Sequence, residues 1–144
     1  MYCRMADMVK CPPELINMIK DAMKDELHDH MKYKMMMEMT DDSEVKRQIN
    51  FASEDEAKHY KMFKQLLFAL TGRVIDVPKP QVEHYDNLLD AIKTSIDGEL
   101  EAVELYRKIK AQLPTMAMRD MLYEIITDEQ EHATRFVYLY AKEK

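Results

Sequence analysis

The chain has 144 residues, the usual length of a single domain and enough to bury a core. With 47% hydrophobic and 33% charged residues, but just two Gly and five Pro, it favours long helices over sheet. A formal net charge of -6 argues against nucleic acid or an anionic membrane as partner, and neither a membrane-spanning run nor the apolar core of a signal peptide is seen, so the cytoplasm is the expected location.

Residues 1–11 read as a flexible tail, with Cys3 and Cys11 as two reduced thiols; they form no CxxC pair, and a redox role is the lesser alternative. Pro12-Pro13 opens a first helix. Asp41, Asp42 and Ser43 form a turn with capping residues, and a second helix runs from there to about Leu70, ended by Gly72. "GRVIDVPKPQ", residues 72 to 81, is the longest non-helical connection. A third helix is expected from about Val82 to Ala111, with a break at Pro114 and a fourth helix reaching the C-terminus. The reading is an all-α, antiparallel four-helix bundle over residues 12–144, two hairpins joined by a longer crossover.

Sliding the chain by 73 residues exposes an internal repeat, 12–71 against 85–144. Ile19, Met23, Glu26 and Tyr33 align with Ile92, Ile96, Glu99 and Tyr106; Ile49, Ala52, Glu56, His59 and Phe63 align with Leu122, Ile125, Glu129, His132 and Phe136. These positions follow the 3-4 spacing of one helix face and are otherwise apolar, as a bundle core requires. Glu26 and Glu56 are 30 residues apart, as are Glu99 and Glu129, with midpoints at the two predicted turns. In an antiparallel hairpin such residues share a level, here about 22 Å from the turn.

One Glu-x-x-His is ordinarily an exposed helical pair. Here the pair occurs twice, on core-facing stripes, each with a third glutamate at matched depth. Four carboxylates buried together would each cost several kcal/mol in desolvation, with mutual repulsion added. No Lys or Arg lies on the core stripes near that level. Two divalent cations match the four negative charges, so Glu26, Glu56, His59, Glu99, Glu129 and His132 are the candidate metal ligands. Mixed Glu and His ligation suits iron or manganese, with zinc as an adventitious occupant.

The paired motifs "ELHDHMKY" (26–33) with "DEAKH" (55–59), and "ELEAVELY" (99–106) with "DEQEH" (128–132), resemble the rubrerythrin-like branch of the ferritin-like superfamily. The resemblance implies that Glu56 and Glu129 bridge two metals, that Glu26 and Glu99 bind terminally, and that His59 and His132 each ligate one. It implies that Asp55 and Asp128 each orient a histidine of the other hairpin. Tyr33 and Tyr106 lie seven residues after the terminal glutamates on the same face, as hydrogen-bond donors to ligand carboxylates or as plain core.

The expected activity is that of a dinuclear iron or manganese oxidoreductase, reducing peroxide or dioxygen as in oxidative-stress defence. There is no rubredoxin module, so electrons would come from a separate rubredoxin-like or flavoprotein donor. A glutamate that rubrerythrins carry one turn after the third-helix ligand falls at Ala102 here, which casts doubt on a rubrerythrin-type peroxidase cycle. The alternatives are a ferroxidase or iron-handling, bacterioferritin-like protein, and a non-catalytic metal-binding bundle. A homodimer is expected, with Met31, Met35, Met36, Met37 and Met39 as core or dimer-surface filler rather than a copper(I) site. Glu101, Glu104 and Glu131 read as solvated acids paired with nearby bases. Within "DELHDH" (25–30), His28 is expected to be exposed, while Asp29 and His30 lie close to the face of Glu26. Their counterparts are Ala102 and Val103, so Asp29 or His30 is expected as an extra group that makes the two metal positions unequal.

Overall fold

The computed structural model describes residues 11–144, which form four α-helices: α1 (Pro13–Met37), α2 (Ser43–Thr71), α3 (Leu88–Ala111) and α4 (Met116–Glu143). Each start has a local cause. Pro13 occupies the first turn of α1, where a missing N–H costs nothing. Asp42 accepts from the backbone N–H of Glu44 and Val45, Asn87 from Asp90, and Thr115 from Met118. Helix α2 stops at Gly72, whose φ of 71° is left-handed and whose N–H reaches the Phe68 carbonyl at 2.8 Å.

Helix α3 begins six residues later than its expected start near Val82. The residues before it are taken by the neighbouring hairpin instead. Glu83 accepts from His28 Nε2 at 2.8 Å, and the Tyr85 ring lies 4.8 Å from the Lys32 ammonium. At the other end of the crossover, Asp76 accepts from Tyr60 and Lys64. The crossover is thus pinned to α2 near its start and to α1 near its end.

Contacts join α1 with α2, α3 with α4, α2 with α4 and α1 with α3, leaving α1–α4 and α2–α3 as diagonals of the bundle. The 3-4 apolar stripes meet inside as two separate clusters. One includes Leu15, Ile19, Phe63, Leu66, Ile109, Leu122 and Ile125; the other includes Met36, Val45, Ile49, Ile92, Phe136 and Leu139. Every fully buried aliphatic side chain of this kind contributes roughly 1.5–3 kcal/mol to folding. Between the two clusters lies a belt of buried polar groups at the middle of the helices.

Cys11 is buried against the first cluster and is disulfide-bonded, which corrects its reading as a reduced thiol on a mobile tail. The rest of that tail, Cys3 included, lies outside the described residues. Met36 is fully buried and Met37 packs on the second cluster, while Met31, Met35 and Met39 are half-buried around the helix, as packing requires.

Candidate metal centre

The polar belt contains Glu26, Glu56, His59, Glu99, Glu129 and His132, none more than 1% exposed. They divide into two overlapping groups whose ligand atoms lie within 4.8 Å of one another: Glu26, Glu56, His59 and Glu129, and Glu56, Glu99, Glu129 and His132. Glu56 and Glu129, from α2 and α4, are common to both. Glu26 and Glu99, from α1 and α3, belong to one each. His59 Nδ1 lies 3.0 Å from Glu129 and 3.3 Å from Glu26; His132 Nδ1 lies 3.0 Å from Glu56 and 3.5 Å from Glu99. The imidazole rings stack with centroids 6.0 Å apart.

A buried polar atom without a partner costs about 1–3 kcal/mol, more when charged. Among the described residues, six buried side-chain atoms lack a hydrogen-bond partner: Glu26 Oε2, Glu56 Oε1, His59 Nδ1, Glu99 Oε2, Glu129 Oε1 and His132 Nδ1. One comes from each of the six belt residues. The donors are carboxylate oxygens and imidazole nitrogens, the set that suits iron, manganese and zinc.

On Glu26, Glu99, His59 and His132 a second polar atom is satisfied, and in each case by the other hairpin. His59 Nε2–H donates to Asp128 and His132 Nε2–H to Asp55, both at 2.8 Å. With Nε2 so engaged, each Nδ1 is the ring nitrogen turned toward the centre. The Tyr33 hydroxyl donates to Glu99, and the Tyr106 hydroxyl to Glu26. Tyr33 packs on Phe136 and Tyr106 on Phe63, so both phenols are also core.

Electrostatics show the tension within the cluster. Burial, then the neighbouring carboxylates, pushes Glu56 and Glu129 well above the ordinary range. For Glu26 the burial cost is outweighed by His59, and its acid form is disfavoured. Burial opposes charge on the histidines too, but the carboxylates on both sides prevail and raise His59 and His132 to about 9. Asp55 and Asp128 are lowered despite partial burial, by the histidines they accept from and by Lys58.

Asp29 and His30 fall outside both groups. His30 Nδ1–H donates to the Ser53 backbone carbonyl at 2.7 Å, joining α1 to α2; a helix-packing role replaces the expected one at the centre. Asp29 is held by His28 Nδ1 at 2.8 Å, beside a cavity of about 320 Å³ lined by Asp25, Asp29, Gly98, Glu101, Ala102 and Leu105. Burial pushes the Asp29 carboxyl up, with the charges of Glu99 and Glu26 adding to the shift and His28 opposing it. On α3 the cavity owes its room to small residues, since a Cβ on Gly98 would meet no atom within 4 Å. His28 is half-buried rather than exposed, because the crossover covers it through Glu83. Glu104 and Glu131 pair with Arg107 and Arg135 as solvated acids.

Sequence reasoning did not single out Lys58. Its ammonium lies 3.0 Å from Asp128, 3.5 Å from Asp55 and 4.0 Å from Glu124 on the α2–α4 face. The Asp55-to-Lys58 spacing of one helical turn was the signal available.

A family model described as Rubrerythrin matches residues 2–67. The uncharacterized protein YhjR of Bacillus subtilis is 28% identical over 126 residues, spanning 88% of this chain and 86% of its own length. Among solved structures, a ferritin-like, diiron-carboxylate protein from Bacillus anthracis superposes with a TM-score of 0.74 at 19% identity, covering 88% of this chain and 95% of that one. A two-domain protein from Anabaena variabilis with DJ-1/ThiJ/PfpI-like and ferritin-like domains gives 0.67 at 16% identity, over 90% of this chain. The chain spans 36% of that two-domain protein. The chain thus has the four-helix fold of these ferritin-like structures, and its first half, which carries Glu26, Glu56 and His59, is similar to the Rubrerythrin family.

Proposed function

We propose that the chain is an oxidoreductase that holds two iron ions and reduces peroxide or dioxygen. The observation that carries this reading is the convergence of six unpartnered donor atoms in one buried layer between two apolar clusters. Glu56 and Glu129 would bridge the ions, Glu26 and His59 would complete one position, and Glu99 and His132 the other. When bound, a ferrous pair supplies the two electrons that a peroxide O–O bond needs. The chain's own contribution is positional. Asp55 and Asp128 fix both imidazole tautomers, and Tyr33 and Tyr106 hold two carboxylates in place. The aliphatic clusters on either side exclude water. Re-reduction would draw on a separate rubredoxin-like or flavoprotein donor.

The test is anaerobic loading of metal-free protein with ferrous iron, followed by peroxide or oxygen. Two ferrous ions bound per chain, oxidised rapidly and re-reduced over repeated cycles by an added donor, are expected. Oxidation followed by release of ferric iron would favour the ferroxidase reading. Stoichiometric binding with no change in oxidation state would leave a non-catalytic metal-binding bundle.

A further inference from the structure

The two aspartates that hold the histidines share one counter-ion. Lys58 projects from α2 onto the α2–α4 face, where its ammonium reaches Asp128 at 3.0 Å on the facing helix and Asp55 at 3.5 Å one turn back on its own. Asp128 accepts from His59, and Asp55 from His132. One cation thus touches both outer carboxylates of a site with otherwise two-fold repeated parts. The repeat breaks at this position, because the residue 73 places further on is Glu131, which is engaged by Arg135 instead. Glu124, 4.0 Å away, is the remaining acid near the ammonium.

A carboxylate free to rotate toward solvent holds an imidazole less firmly than one pinned on its other side. A lysine contacting two such carboxylates fixes both together. We propose that Lys58 is a positioning residue for His59 and His132 jointly, acting through Asp128 and Asp55, so that a single side chain sets the orientation of both imidazoles. As a partly exposed ion pair it adds little to stability; its effect falls on the geometry of the ring nitrogens. This inference extends the two-metal reading but does not depend on it, because it rests on the imidazole–aspartate hydrogen bonds and their shared lysine.

The experiment compares wild type with Lys58→Met, Lys58→Gln and Lys58→Arg, each checked for helicity. The first readout is the imidazole N–H resonances of chelator-treated protein labelled with nitrogen-15 at histidine. Both Nε2–H signals should exchange several-fold faster in Lys58→Met and Lys58→Gln, and recover in Lys58→Arg. The second is a competition titration with Zn²⁺ alone, where both positions should weaken together by about 3- to 10-fold, below the 10- to 100-fold typical of losing the hydrogen-bonding partner itself. Unchanged N–H exchange at both histidines in a folded Lys58→Met chain would overturn the proposal. So would a change confined to His59, whose aspartate is the nearer. If wild type takes up no Zn²⁺, Fe²⁺ or Mn²⁺ while both N–H signals still respond, the positioning role stands and the two-metal reading fails.

Discussion

Stripped of any bound metal, this protein should lose stability steeply as the pH rises. His59 and His132 are fully buried and raised from the ordinary 6.5 to about 9. A group whose folded pKa is raised stabilises the fold fully below its unfolded value and loses that contribution as the pH passes the folded value. The window is therefore pH 6.5 to about 9, and the shift corresponds to roughly 3 kcal/mol per histidine. Glu56 and Glu129, also raised, act with the same sign, since deprotonating them places more negative charge in the belt. Because the groups share one field, about 5 kcal/mol is expected in all, a large part of the roughly 5–15 kcal/mol that holds a domain together. At about 2–4 °C per kcal/mol, the melting temperature of chelator-treated protein should drop by roughly 10–20 °C between pH 6.5 and 9.5. Thermal melts by far-UV circular dichroism measure this directly. With saturating Mn²⁺ or Zn²⁺ the drop should vanish, because the metal replaces the protons and its binding strengthens with pH. A metal-free melting temperature that stays level or rises across this window would refute the account of the buried charges.

On the proposed two-metal reading, the glutamates shared by both groups should separate from the unshared ones in metal stoichiometry. Glu129→Ala should abolish uptake of both ions, whereas Glu26→Ala should leave one, read by elemental analysis after equilibrium dialysis. Tyr106→Phe leaves Glu26 without its donor inside the core and should cost about 1–3 kcal/mol in urea unfolding. His30→Ala should cost on the order of 1 kcal/mol through the lost bond to Ser53, with metal stoichiometry unchanged; a loss of one ion would restore His30 to the centre.

The level of the polar belt could be read from the sequence because hairpin geometry is arithmetic. Equal spacing from a turn sets equal depth, and the acids interrupting an apolar stripe mark that depth. Periodicity also carried the helices, since Pro, Gly and capping residues punctuate each end. Contacts from outside the stripes were less legible. The start of α3 moved because Glu83 and Tyr85 find partners on α1, and no pattern within residues 82–87 announces a partner 50 or more positions away. The same crossover half-buries His28, which helical angle alone would leave in water. His30 sits at the edge of the core stripe, and spacing cannot tell a donor to a backbone carbonyl from a donor atom for metal. Lys58 was hidden because its role lies in a face shared by α2 and α4, formed after the hairpins dock.

The reciprocal pattern of hydrogen bonds bears on how the molecule assembles. Each hairpin carries two glutamates and one histidine of the centre, yet the tyrosine and the aspartate that steady them belong to the other hairpin. A hairpin alone would hold its donor groups loosely and with open tautomers. Docking of the two halves is therefore cross-keyed, each half completing the other's half-site. Tight metal uptake should consequently appear late in folding and serve as a receipt for correct hairpin pairing, with a mispaired or half-folded chain left metal-poor.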